Sequence, residues 1–192
     1  MAEATFAPVG FAATPALPPA THHLRDGSTL AVLPPRTYVR LQVARRHAAA
    51  LADVRVREVA LPLGPGRCAG AEPSILWLAP DAWLLASETC DGAALARDAR
   101  AALGDRTGAA VDVSDSLVTL ELAGPALPAL LARGTGVDPA APALAPGHCT
   151  RTRFAQLAVI LRPRAADRME LIVDRGPAAW LRDWLADAAA LL

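Results

Sequence analysis

At 192 residues and 19.9 kDa the chain is long enough for one domain, or for two small halves sharing a core. Its 19 basic residues balance 19 acidic ones, which removes the electrostatic case for a nucleic-acid or anionic-membrane partner. Every basic residue is arginine, so chemistry that needs a lysine amine, such as a Schiff base or a phosphate-loop lysine, is excluded.

Hydrophobic residues at 53% and charged residues at 20% mark a globular chain, and the surplus of Ala and Arg fits a GC-rich genome. Cys68, Cys90 and Cys149 are widely spaced with no C-x-x-C, which suggests neither a zinc site nor a disulfide framework. The odd count fits a reducing compartment. The first residues lack the charged and apolar regions of a signal peptide, and no apolar run approaches the roughly 20 residues of a membrane span. The expectation is a soluble, cytoplasmic protein.

Residues 1–35 hold Pro8, Pro15, Pro18, Pro19, Pro34 and Pro35 among Ala, Thr and Gly, and read as an N-terminal arm without helix or ladder. The domain proper is expected over 36–192. Tyr38 to Val43 alternates apolar and polar residues, the period of a half-buried strand. Arg45 to Glu58, Ala-rich and free of Pro and Gly, reads as a helix. Ser74 to Leu78 and Trp83 to Ser87 are strands joined through Ala79-Pro80-Asp81-Ala82, a tight hairpin. A helix over about 92–103 buries Leu95, Ala99 and Leu103, and Gly104 caps it.

The same order then recurs. Ala110 to Ser114 and Leu117 to Leu122 are predicted strands, followed by a helix from Pro125 to Gly134 on the spacing of Leu127, Leu130 and Leu131. A Pro/Ala-rich connection leads to Phe154 to Leu161, read as one strand covered on both sides, and then to the strand Met169 to Asp174. In the last helix, 177–192, Trp180, Leu181, Trp184, Leu185 and Ala188 form the predicted buried stripe. The fold class is therefore α+β, with pseudo-duplicated strand-helix-hairpin-helix units.

Little in the sequence carries chemistry. The loop Gly64 to Gly70 lacks G-x-G-x-x-G spacing and has Pro65 where an amide donor is wanted, so an ordinary loop is preferred to a phosphate cradle. His148-Cys149 is an adjacent soft pair, but neighbouring side chains point apart and further ligands are lacking. His22-His23 reads as solvated. Ser114-Asp115-Ser116 has no G-x-S-x-G elbow and reads as a turn; Asp112 and Asp115 are the appealing carboxylate pair. Trp77, Trp83, Trp180 and Trp184 read as core, with an interface anchor as the rival. No catalytic, cofactor-binding or metal residue is assigned.

The segment Leu76-Trp77-Leu78-Ala79-Pro80-Asp81-Ala82-Trp83-Leu84-Leu85 resembles the W-L-G-P-D-E-W-L-L signature of the sarcosine oxidase gamma-subunit family. Val111-Asp112-Val113-Ser114-Asp115, Leu120-Glu121-Leu122-Ala123-Gly124-Pro125 and Leu130-Leu131 are similar to that family's V-D-V-S-D, L-E-L-x-G-P and L-L run. Pro146-Gly147, Thr150 to Phe154, Met169 to Val173 and Trp180 to Leu185 continue the likeness, which covers about residues 37–190. Ala79 and Ala82 depart from it, standing where the family commonly has Gly and Glu.

The resemblance implies a non-catalytic gamma subunit of a heterotetrameric, flavin-dependent amine oxidase. Its partners would be alpha, beta and delta subunits carrying NAD, tetrahydrofolate, FAD, FMN and zinc, with none of these in this chain. It also implies a fold similar to the folate-binding domain of glycine-cleavage aminomethyltransferase. The rivals are a subunit of a related N-methyl amino acid dehydrogenase or demethylase, a standalone folate-dependent aminomethyltransferase-like enzyme for which Asp112 or Asp115 would serve, and a scaffold outside amine metabolism.

Overall fold

A computed structural model of the chain describes residues 14–25, 27–47 and 50–192. In chain order the strands are β1 (Ala20–His23), β2 (Thr29–Val32), β3 (Thr37–Val43), β4 (Arg55–Val56), β5 (Val59–Ala60), β6 (Cys68–Ala69), β7 (Ser74–Ala79) and β8 (Ala82–Ser87). Helix α1 (Gly92–Ala102), β9 (Gly108–Asp112), β10 (Leu117–Ala123), α2 (Leu127–Gly134), β11 (Thr150–Phe154), β12 (Leu157–Ala165), β13 (Arg168–Asp174) and α3 (Ala178–Ala190) complete the order. One antiparallel sheet runs β6-β7-β8-β3-β9 and the other β1-β2-β10-β13-β12-β11.

Period-two alternation divides each strand between two environments. In the first sheet Val39, Leu41, Val43, Ile75, Trp83 and Leu85 pack outward against Leu95, Ala99 and Leu103 of the α1 segment. In the second sheet Leu120, Leu122, Val159, Leu161, Leu171 and Val173 pack against α2 and α3. The alternate residues meet between the sheets, where Tyr38, Leu76, Leu84 and Ala86 face Ile172, Ile160 and Leu117.

The predicted hairpin forms with Ala79 opposite Ala82, leaving Pro80 and Asp81 as the two turn residues. Helix α1 also forms as read. The Asp91 carboxylate caps it by accepting from the Ala94 amide at 2.9 Å, and Gly104 follows at φ +56°, where a side chain would be strained.

Four expectations are corrected. First, residues 20–32 are not a ladder-free arm: β1 pairs with β2, and β2 pairs with β10. The prolines of that region flank 20–33 without entering it, and Leu30 and Val32 alternate into the core. The part of the predicted arm before Thr14 lies outside the described residues.

Second, the helix expected over 45–58 is a 3-10 turn at Arg45–His47 followed by the β4–β5 ribbon. Val54-Arg55-Val56-Arg57 alternates with a period of two, and Arg57 and Glu58 take φ of 48° and 67° to turn the ribbon. Residues 48 and 49 of that stretch lie outside the described ones. Leu51, Val54, Val56 and Leu61 are buried there without a helix.

Third, the apolar run 154–161 is two strands, since Ala155 and Gln156 adopt φ of 46° and 75° in a two-residue turn between β11 and β12. Fourth, Trp180 is 48% exposed, while Ala178, Leu181, Leu185 and Ala188 carry the buried stripe of α3.

The strand-helix-hairpin-helix pattern consequently differs between the halves. Among the described residues the first half has no opening helix, and each hairpin gains a third strand, β6 or β11. The two sheets nevertheless share an order, β6-β7-β8-β3 in one and β11-β12-β13-β10 in the other. The strand completing each comes from the opposite half: β9 adds to β3, and β2 adds to β10.

Candidate functional site

The seam between the sheets is where polar side chains enter the interior. β3 sends in Tyr38, β10 sends in Thr119, and their hydroxyls share a hydrogen bond of 2.5 Å. β13 sends in Glu170, only 1% exposed, which accepts from Arg36 at 2.7 Å. Arg162 lies 3.5 Å and Arg164 3.7 Å from the same carboxylate. Arg36 also reaches out to Glu88 at 2.7 Å, so one guanidinium joins the seam to the surface.

Burial works against the charge on Arg36, but the hydrogen bond and attraction of Glu170 prevail and hold its pKa above the ordinary arginine value. Arg162 goes the other way: burial lowers it, and Glu170 only partly offsets that. Burial likewise raises the Tyr38 phenol, keeping it a neutral hydrogen-bonding group.

A cavity of about 150 Å³ opens further along the seam. Leu78, Leu84, Ile160 and Ile172 line its interior, and Arg40, Arg151 and Asp174 also border it. A smaller one of about 100 Å³ lies between residues 14–17, Pro34-Pro35, Tyr38 and Ser114. Among the described residues, no group of three or more His, Cys, Asp or Glu side chains is placed to hold a metal ion.

Of the residues singled out from the sequence, Ser114 and Asp115 line the smaller cavity and Ser116 borders the larger, while Asp112 lines neither. Asp112 accepts from the Ser114 amide at 3.0 Å and from its hydroxyl at 2.5 Å, while Ser116 donates to the Val113 carbonyl at 2.7 Å. Ser114-Asp115-Ser116 is thus a 3-10 turn held by its own side chains. The Ser114 hydroxyl also accepts from the Tyr38 amide at 2.9 Å, tying this turn to β3.

In the Gly64 to Gly70 loop, the Arg67 and Cys68 amides are consumed by the Gly64 and Gly147 carbonyls. Gly66 is required there, since at φ +65° a Cβ would meet the Cys149 carbonyl oxygen at 2.8 Å. Cys149 is buried, whereas His148 turns its Nδ1 towards the Ala145 carbonyl at 3.3 Å, so that pair points apart. His22 and His23 lie exposed on β1.

Trp83 is fully buried with its Nε1 donating to the Pro62 carbonyl at 2.8 Å, and Trp184 meets Phe154 edge-on at 5.7 Å. Sequence reasoning missed the cluster of Arg36, Tyr38, Thr119, Arg162 and Glu170. The available signal was charge inside apolar strands: Arg162 and Glu170 interrupt runs that otherwise read as core.

Comparison with known proteins adds what this geometry leaves open. A family model described as the sarcosine oxidase gamma subunit family matches residues 43–191. A sarcosine oxidase subunit gamma from Arthrobacter sp. is 35% identical over 103 residues, 53% of this chain and 50% of that protein. One from Corynebacterium sp. (strain P-1) is 36% identical over 103 residues, with the same coverage, so the match spans about half the length of these relatives.

Among solved structures, a heterotetrameric sarcosine oxidase from Corynebacterium sp. U-96, in complex with pyrrole 2-carboxylate, aligns with a TM-score of 0.75 at 27% identity. That alignment covers 86% of this chain and 85% of the other. The glycine cleavage system aminomethyltransferase T from Bartonella henselae aligns with a TM-score of 0.57 at 17% identity, over 85% of this chain and 46% of that one, a likeness of fold alone.

Proposed function

The chain belongs to the sarcosine oxidase gamma-subunit family, and from that premise we propose that it is the non-catalytic, assembling gamma subunit of a heterotetrameric, flavin-dependent oxidase. The reaction of the whole is oxidative demethylation of an N-methyl amino acid to the amine, with formaldehyde or methylene-tetrahydrofolate as the other product. Alpha, beta and delta subunits are its partners, and FAD, FMN, NAD, tetrahydrofolate and zinc belong to them. We assign the complex to the cytoplasm; among the described residues no helix is long and apolar enough to cross a membrane.

The observation that carries this reading is the alignment over 85% of a chain of a heterotetrameric sarcosine oxidase. The seam chemistry supports it. Glu170 is neutralised by arginines, and Asp112 is spent on the Ser114 turn, so each of these carboxylates has a structural task. Trp180, Leu191 and Leu192, exposed on and after α3, supply apolar surface of the kind that partner subunits cover. The shared strand order of the two sheets supports reading the halves as a duplicated unit.

The standalone folate-dependent reading draws on the fold likeness to aminomethyltransferase and needs a free carboxylate; Asp112 is already engaged, which leaves it Asp115, exposed on the 3-10 turn. The test is affinity purification of the chain from its native cells, with a visible spectrum and mass analysis of what accompanies it. A yellow complex with two larger subunits supports the proposal. A colourless chain without partners overturns it, and calorimetric binding of tetrahydrofolate by that lone chain establishes the rival.

A further inference from the structure

Strand register builds the walls of the larger seam cavity. On the inner face of the first sheet Arg40 of β3 stands opposite Leu84 of β8, two positions on from Tyr38 and so pointing the same way. On the inner face of the second sheet Ile172 stands opposite Ile160, and Ile160 opposite Arg151. Leu84 and Ile172 are 2% and 1% exposed and belong to one buried cluster, so the sheets close on each other there. Leu78 and Ile160, half-buried, carry the apolar wall outward. The space between, about 150 Å³, matches an engineered cavity of roughly 150 Å³ in another protein that is lined by Leu, Ile and Phe and binds benzene.

The mouth of this cavity is charged. Arg40 comes from one sheet and Arg151 from the other, both exposed, and neither guanidinium makes a hydrogen bond or ion pair among the described residues. Deeper in the seam the arginines are spent, since Arg36 and Arg162 share Glu170. Asp174 is the one carboxylate among the lining residues and pairs with neither arginine, so the rim keeps one net positive charge.

We propose that the cavity binds a small monocarboxylate with an apolar body of about six carbons, the size that such a volume accepts. Its chain lies between the sheets against Leu84, Ile160 and Ile172, and its carboxylate sits at the rim with Arg40 and Arg151. An apolar floor under a cationic rim selects a ligand with one greasy end and one anionic end. Guanidinium groups present paired donors that match the two oxygens of a carboxylate. The site lies wholly within one chain, so the proposal does not rest on the assembly reading.

The experiment titrates the full chain with hexanoate by isothermal calorimetry, with an expected Kd below about 1 mM. Butanoate, two methylenes shorter, should bind about tenfold more weakly. Hexanamide, similar in shape but uncharged, should lose about tenfold or more. Arg40→Gln and Arg151→Gln alter exposed, unpaired side chains, and circular dichroism checks that the fold is unchanged. Each should weaken hexanoate about tenfold. Arg97→Gln, which removes the same charge from the exposed side of α1, should leave binding as it was. No binding of hexanoate at about 10 mM overturns the proposal. So does equal affinity for hexanoate and hexanamide, which would make the cavity a plain apolar void. An Arg97→Gln loss as large as that of Arg40→Gln overturns it too, as would leucine binding more tightly than 4-methylpentanoate, since the ligand class would then be a zwitterion held through Asp174.

Discussion

On its outer face the first sheet offers Val39, Leu41, Ile75, Trp83 and Leu85, which meet apolar side chains of α1 and of residues 51–61. On its inner face the same strands offer Tyr38, Leu76, Leu84 and Ala86 to a partner sheet that carries Thr119, Arg162 and Glu170. The outer cluster is held by area removed from water, which is non-directional and tolerant of small shifts. The seam adds hydrogen bonds and ion pairs with fixed geometry, so it sets how one sheet seats on the other as well as how tightly. Regions of equal burial therefore differ in what a substitution breaks: contact area outside, and pairing inside.

The largest effect is expected outside. Trp83→Ala removes the largest fully buried side chain together with its bond to Pro62, and should cost about 3–5 kcal/mol in urea unfolding followed by circular dichroism. A loss below about 1 kcal/mol would show that the outer core collapses around the gap.

In the seam, Glu170→Ala takes the shared carboxylate from Arg36 and Arg162 and should cost about 3 kcal/mol. The double variant Arg162→Met/Glu170→Leu should recover part of that, because the more buried guanidinium goes with its carboxylate while Arg36 keeps Glu88. If the double variant is no better than the single, the penalty comes from packing volume, and the contrast with the outer core fails.

Tyr38→Phe keeps the ring and removes one hydroxyl, leaving Thr119 without that partner at an expected cost of about 1 kcal/mol. Thr119→Val in the same background should then cost little more, since both ends of the bond would be gone; a full second penalty would break the pairing argument. Trp180→Ala, half-exposed on α3, should move the chain's own stability by no more than about 0.5 kcal/mol. The same variant should weaken retention of partner subunits by at least about tenfold in copurification if this tryptophan anchors them.

The elements most legible in the sequence were those whose local pattern and tertiary role agree. The Pro80-Asp81 hairpin, α1 with its Gly104 end, and the β10 alternation lie where the residues alone place them. Misreadings arose where composition and period disagreed. Ala-rich 45–58 favoured a helix by propensity, but the Val-Arg alternation at its end and the burial of Leu51 and Val54 favoured an extended path. Proline content hid the two strands of residues 20–32, although no proline stands inside them. The turn at Ala155-Gln156 carried no glycine or asparagine to announce it.

Of the candidate site, the sequence disclosed the turn role of Ser114-Asp115-Ser116 but not the groups it braces. Tyr38, Thr119 and Glu170 are 51 or more positions apart from one another, and nothing local marks them as partners.

By itself the sequence determined the α+β class, most strand and helix positions and, through three motifs in register, the family. Each of these is written in residues near one another, because period and turn chemistry act over a few positions. Only the tertiary structure decided that β2 and β9 cross to the opposite sheets and that Glu170 sits among arginines. Those outcomes depend on which strand edges are free to pair and which faces stack, and such choices are made between segments that carry no record of each other in the local pattern.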